Sequence, residues 1–340
     1  MRFLPTDEQR AFARSLDAML TGAGTPAAAR AWAAGDPGPG RALWRRLGEA
    51  GVFALAVPEA YEGLGPLPVE LAHAFVEVGR HAVPGPLVET VAAAALLAGL
   101  AERGETGPAR RFLPGIAAGG TTATLVLARD ALALDPDAAD PVLVVDGDAL
   151  WIAPGHEGIR VSADPVRRLA RPARGGELLA AGPAVPAAAA RARRWALLAT
   201  AAQSLGVGLA LLDRTVAYAR QRTQFGAPIG AFQAVKHRLA DTLTGLEFAR
   251  PLLFGAALTF EEGDLAAAKA ATGEAAYAAA RTALQIHGAV GYTDELDLSL
   301  WLRKARPLRD AWGTPSWCRE RVLADGAAGP ARAGRRDRHP

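Results

Sequence analysis

Cysteine is almost missing from this chain: Cys318 is the single one among 340 residues. It has no partner for an internal disulfide, and one thiolate cannot assemble a zinc site, so neither a disulfide framework nor a metal centre is expected. Long apolar runs are missing too. Half the residues are hydrophobic, yet no uninterrupted apolar stretch of about 18 residues occurs, which argues against a membrane span. The opening Met1–Gln9 lacks a charged segment followed by an apolar one, so no leader peptide is expected and a cytoplasmic location follows by default. An excess of either charge is also lacking over most of the length. The formal net charge is +3, and Arg332, Arg335, Arg336 and Arg338 set against Asp337 in the last residues account for all of it. The body is therefore neutral and offers no basic surface for nucleic acid. The Gly, Pro and Arg of residues 327–340 predict a disordered, solvated tail.

What is present is enough apolar material, 50% of 340 residues, for a large core spread over two or three domains or layers. From Thr6 to about Gly115, apolar residues recur at helical spacing, as at Phe12, Leu16, Met19 and Leu20, or at Leu71, Phe75 and Val78. Thr6 followed by Gln9 reads as a capping box opening the first helix. Loops are predicted at Gly35–Gly40 and Glu62–Pro66, where Gly and Pro concentrate. Between Thr121 and Pro183 the pattern turns β-branched and alternating, at residues 124–127, 141–145, 149–152 and 159–161, which predicts a small antiparallel unit. Helical, alanine-rich periodicity returns from Pro186 to about Gly326.

Two segments stand out chemically. Arg222-Thr223-Gln224-Phe225-Gly226-Ala227-Pro228-Ile229 is followed by Phe232, Gln233 and His237, and downstream lies Gln285-Ile286-His287-Gly288-Ala289-Val290-Gly291-Tyr292. A guanidinium such as Arg222 meets phosphate oxygens with paired hydrogen bonds, and a flat ring such as Phe225 can cover apolar cofactor surface. Amides at Gln233 and Gln285 offer a donor and an acceptor together, and Gly288 allows close backbone approach. Taken singly, these have plain alternatives: a surface arginine, a core ring, turn glycines. His237 and His287 read as packing or polar surface residues, and Trp195, Trp301, Trp312 and Trp317 as packing residues.

In order and spacing, the two segments resemble the acyl-CoA dehydrogenase family, FAD enzymes that remove hydrogens from the α and β carbons of an acyl thioester. The stretch Trp44–Glu59 is similar to that family's N-terminal helical domain, and the resemblance covers about residues 6 to 325. It implies a mainly α fold with a small β domain. The expected division is an N-terminal α-helical domain over 1–117, an abbreviated middle β domain over 118–185, a four-helix-bundle-like domain over 186–326 and the basic tail over 327–340. It further implies that Arg222, Gln224, Phe225, Gln233, Gln285, Gly288 and Ala289 grip the adenosine and pyrophosphate end of an FAD whose ring sits in a neighbouring subunit.

The resemblance also exposes gaps. The family's proton-abstracting glutamate commonly precedes a Gly-Thr pair near the C-terminus, and here that place holds Trp312, before Gly313-Thr314. A second family position for the base falls on Ala196. A Thr-Glu-Pro-Gly-containing loop that cradles the flavin ring is missing between Gly120 and Ala139, although Asp164-Pro165-Val166-Arg167-Arg168 resembles a later family strand connection. The chain is thus expected to be the partner subunit of a two-plus-two heterotetramer whose paralogous subunit supplies glutamate and ring pocket, with an acyl-CoA or acyl-carrier thioester as substrate and electron-transfer flavoprotein as a further partner. Three alternatives stand beside it: a self-sufficient dehydrogenase using Asp310, Glu320 or Glu261 as base, another flavin reaction on the same scaffold, and a scaffold subunit without flavin.

Overall fold

The computed structural model describes residues 4–160 and 162–328. Six α-helices open it: α1 (Asp7–Thr21), α2 (Thr25–Ala33), α3 (Gly38–Glu49), α4 (Pro68–Arg80), α5 (Leu87–Ala101) and α6 (Thr106–Ala117). At the start of α1 the Gln9 amide N–H donates to Thr6 Oγ1 at 3.2 Å and the Thr6 N–H donates to Gln9 Oε1 at 2.9 Å, the reciprocal capping that the sequence predicts. Glu62–Pro66 is a loop as expected. The break at Gly35–Gly40 is shorter than expected, because α3 already begins at Gly38. Pro39 sits in its first turn, where the missing N–H costs nothing, and a Cβ on Gly40 would stand 2.3 Å from the Trp32 ring. Those glycines let α3 lie against α2.

Six short strands follow: β1 (Thr124–Val126), β2 (Ala133–Leu134), β3 (Val142–Asp146), β4 (Ala149–Ile152), β5 (Leu169–Ala170) and β6 (Glu177–Ala181). They form a sheet of order β1-β3-β4-β6 and a separate β2-β5 pair. The antiparallel expectation holds for β3–β4, β4–β6 and β2–β5, but β1 and β3 run parallel. The segment between them, which contains β2, carries the chain back to the same end of the sheet. The strand expected at 159–161 shrinks to one bridge, Arg160 to Leu169, and Val161 lies outside the described residues. β1 is buried throughout, and Thr90 of α5 clips it from below: its Oγ1 donates to the Ala123 carbonyl at 2.6 Å and accepts from the Ala123 N–H at 3.0 Å.

The remainder is helical again: α7 (Ala184–Gln221), a hairpin of β7 (Thr223–Gln224) and β8 (Ala227–Pro228), then α8 (Gln233–Thr259), α9 (Glu262–His287), α10 (Leu298–Asp310) and α11 (Pro315–Ala328). The basic tail expected over 327–340 falls almost wholly outside the described residues, and α11 continues to Ala328. Every residue of α7 from Trp195 to Leu212 is buried. By length and composition α7 could cross a membrane, but its apolar window is enclosed by α4, α5, α8 and α9, as the central helix of a globular core would be.

Two contacts fix the frame. Gly79 of α4 and Gly206 of α7 let the helices touch backbone to backbone: a Cβ on Gly206 would stand 1.9 Å from the Val76 carbonyl oxygen, and one on Gly79 2.1 Å from that of Gln203. The exposed carbonyls at the end of α4 are satisfied by the indole N–H of buried Trp301, which donates to Gly79 O at 3.2 Å and Arg80 O at 2.9 Å. A buried ion pair, Lys304 Nζ to Asp164 Oδ2 at 3.2 Å, ties α10 to the strand region. Gly206→Ala is expected to destabilise the chain by about 1–3 kcal/mol, since the added methyl forces α4 away from α7. Thermal unfolding read by circular dichroism checks this, and an unchanged midpoint would remove the backbone contact as a source of stability.

Candidate functional site

Two places gather polar and aromatic side chains. The first is the end of the bundle where α7 gives way to the hairpin. Arg222 is the first residue after α7, and the Ile229 N–H donates to its carbonyl at 2.8 Å, closing the hairpin. The two-residue turn is Phe225-Gly226, with φ of 54° and 79°. Both values are positive, as the turn that matches strand twist requires, and a phenylalanine at such a φ is uncommon. Phe225 is 93% exposed and meets only the edge of Phe232, with ring centroids 6.2 Å apart. Arg222, Gln224 and Gln233 are exposed as well, Gln233 opening α8.

The second segment ends α9. Gly288 caps that helix at φ 63° and ψ −139°, a conformation that only glycine adopts freely, and its N–H donates back to the Leu284 carbonyl. Gln285, Gly288 and Ala289 are exposed. His287 faces inward instead: its Nδ1 lies 2.8 Å from the Ala283 carbonyl and its ring stacks on Tyr218, one turn before Arg222, at 4.1 Å. Burial holds the imidazole pKa below its ordinary value. This stacking joins the two segments, so all seven residues singled out in the sequence sit on the solvent side of one end of the bundle. His237 is exposed on α8.

The second place is a cavity of about 510 Å³ between the strands and the α10–α11 loop. Leu125–Ala128, Ala131, Leu134 and Leu169 give it apolar walls, while Glu89, Arg167, Arg193, Asp310, Trp312 and Trp317 supply the polar and aromatic remainder. Trp312 stands on the loop at φ 59°, before Gly313 at φ 151°. That loop is pinned from α9 by Lys269, whose buried ammonium donates to the Arg309 carbonyl at 2.7 Å and the Gly313 carbonyl at 3.1 Å. Burial lowers the Lys269 pKa to about 8.

The indole of Trp312 donates to Glu89 Oε1 at 3.1 Å. Glu89 is 5% exposed, its Oε2 has no hydrogen-bond partner, and burial pushes its pKa above the ordinary carboxylate range. Nothing in the sequence reading singled it out. The available signal is that Glu89 is the one charged side chain in the otherwise apolar run of α5. Of the carboxylates considered as bases, Asp310 lines the cavity but pairs with Arg309 at 3.0 Å, whereas Glu261 and Glu320 are exposed and not part of its lining. Ala196 is fully buried in α7 and does not line the cavity either.

The N-terminal model of the acyl-CoA dehydrogenases matches residues 6–120 and the C-terminal model residues 187–325. The chain belongs to the acyl-CoA dehydrogenase family. It is 33% identical over 305 residues to acyl-CoA dehydrogenase IpdE2 of Mycobacterium tuberculosis, covering 88% of this chain and 92% of that protein. Among solved structures it superposes on the Tcur3481-Tcur3483 steroid ACAD G363A variant with a TM-score of 0.81 and 26% identity, over 95% of this chain and 99% of that one. The ChsE4-ChsE5 complex of M. tuberculosis matches in fold, with a TM-score of 0.79 and 23% identity over 97% of this chain and 100% of that one. Members of the family are FAD-binding oxidoreductases.

Asp135, just past β2, is 1% exposed and titrates near the same cavity. Its Oδ1 accepts the Arg168 N–H at 2.9 Å, and burial raises its pKa from 3.8 to about 7. A raised carboxyl favours the folded state while protonated, so its contribution is complete below pH 3.8 and is lost as pH rises to about 7. Asp135→Asn keeps an acceptor and removes the charge. Urea midpoints across that window should fall more steeply for the parent than for the variant; parallel slopes would show that Asp135 does not titrate there.

Proposed function

We propose that this chain is a subunit of an FAD-dependent acyl-CoA dehydrogenase that desaturates an acyl thioester, and that it lends adenosine and pyrophosphate contacts to FAD held by a paralogous partner carrying the catalytic glutamate. The observation that carries this reading is Phe225, a bare aromatic at the tip of a strained hairpin, ringed by exposed Arg222, Gln224 and Gln233. Neither core packing nor turn formation calls for phenylalanine there. A ligand edge arriving from outside does. Arg222 suits a diphosphate, Phe225 the flat face of an adenine or dimethylbenzene ring, and Gln285 with the Gly288-Ala289 backbone a polar rim.

The residues of this chain fit that end of FAD and not a complete site. Trp312 donates where the family's base would accept, and an indole has no acceptor for a proton. Bound FAD supplies the two-electron acceptor of the desaturation; this chain's part is to orient and hold its anionic end. On this reading the chain comprises a helical domain over 1–117, a short β domain over 118–185 and a helical domain over 186–326, assembled two-plus-two with the paralogue in the cytoplasm. The heteromeric ChsE4-ChsE5 complex among its fold neighbours, and the steroid dehydrogenase assigned two names, support a split assembly and a bulky acyl group. An electron-transfer flavoprotein would take the electrons onward.

A self-sufficient enzyme is the second reading, favoured by one observation: the cavity holds a buried carboxyl, Glu89, in hydrogen-bond contact with the residue at the base position. Co-purification separates the two. Expressed alone, the chain should be colourless; with its paralogue, the complex should carry flavin absorbance, and Arg222→Ala should cut its FAD content at least severalfold. Unchanged FAD in the Arg222→Ala complex would remove the donated grip, and stoichiometric FAD with desaturase activity in the lone chain would establish the second reading.

A further inference from the structure

Where α1 meets the C-terminal end of α4, three side chains with metal-ligand chemistry come together. Asp17 belongs to α1, while Glu77 and His81, four residues apart at the end of α4, fall on one side of that helix. One ligand atom from each lies within 4.8 Å of the other two, and among the described residues no other trio of His, Cys, Asp or Glu does so. His81 Nε2 lies 2.8 Å from Asp17 Oδ1. Glu77 Oε2 is out of contact with water and has no hydrogen-bond partner. Arg80 Nε stands 3.6 Å from it, too far for a hydrogen bond, and the same guanidinium is engaged by Asp213 at 3.0 Å. A buried carboxylate oxygen left this way is costly and uncommon. Charge is unbalanced as well: Asp17, Glu77 and Asp213 stand against Arg80, because Arg250, which also faces Glu77, is paired with Glu247 at 2.9 Å. Three carboxylates against one guanidinium leave room for two positive charges.

We propose that Asp17, Glu77 and His81 bind a divalent transition metal of the zinc class, which staples α1 to α4. The donor set decides the class: one imidazole nitrogen with two carboxylate oxygens suits zinc, whereas magnesium and calcium take oxygen ligands throughout. Three protein ligands leave a fourth position for water. The scarcity of cysteine excludes a thiolate centre and does not bear on a site without sulfur. Zinc bonds of about 2.0–2.2 Å place tetrahedral ligands roughly 3.4 Å apart, so the three atoms draw together by no more than about 1.4 Å on binding. The terminal bonds of Asp and Glu are soft, and the Asp17 side chain is half exposed, which gives that freedom. The hydrogen between His81 and Asp17 gives way to the metal, and the orphaned Glu77 oxygen gains a cation. The trio shares no residue with the FAD grip or with the cavity beside Trp312, so it stands or falls apart from the proposed function.

The probe is zinc chloride, titrated by calorimetry into the purified full-length chain after treatment with a chelator. One zinc per chain is expected to bind saturably. The thermal midpoint read by circular dichroism should rise with zinc concentration, because a metal held by the folded state alone stabilises it. Magnesium chloride at the same concentration should leave the midpoint where it is. Asp17→Asn and His81→Gln should each weaken zinc binding by at least about tenfold, since each removes a ligand. Asp17 is exposed, so Asp17→Asn keeps the test alive should His81→Gln fail to fold. Absence of saturable binding at one equivalent overturns the proposal. So does equal zinc affinity in the parent and in either folded variant, the result expected if other histidines or Cys318 hold the metal.

Discussion

The burial of α7 on all sides is the constraint from which the rest follows. From Trp195 to Leu212 no face of the helix meets water, so four helices must enclose it, and the enclosure is tight enough that Gly79 and Gly206 bring two backbones into contact. A helix of 38 residues cannot be buried to its end in a molecule of this size. Its last turns emerge where the core stops, and the hairpin with Arg222 is built on that emerging end. The same rod thus anchors the apolar interior and projects the polar, ring-bearing tip into solvent.

The tip is stabilised with little material. Tyr218 on α7 and His287 on α9 stack at 4.1 Å, and the Gly288 cap turns the chain away immediately afterwards. His287 is buried and Tyr218 half-buried. Their role is to hold two segments, more than sixty residues apart in sequence, side by side, so that Arg222 and Gln285 belong to one surface. The cavity is stabilised by a different device, the α10–α11 loop, whose carbonyls are gathered by Lys269 and whose Trp312 reaches across to α5.

The helix–sheet–helix order was legible because period 3.6 and period 2 leave different marks, and the Thr6–Gln9 cap because its residues fall at fixed spacing. Strands of two or three residues are too short to carry a period, which is why the β2–β5 pair and the parallel pairing of β1 escaped notice. The start of α3 escaped because Gly-Pro-Gly normally breaks a helix, and only the Trp32 ring lying against Gly40 explains why glycine is needed there. The surface residues at the end of α7 could be named from motif order. Glu89 could not, since a lone charge in an apolar helix announces burial without saying what it will meet, and its partner lies 223 positions away.

That partnership also restricts what this chain can become. A carboxylate restored at position 312 would arrive beside Glu89 with no cation bonded to either, and two acids at such distance in an apolar enclosure cannot both ionise. One would hold its proton at neutral pH while the other ionised. The two would share one proton, and the acid–base behaviour would belong to the pair and not to either residue. The Trp312 indole N–H and the Glu89 carboxyl oxygen each satisfy the other, so replacing either one leaves a buried polar group without its partner.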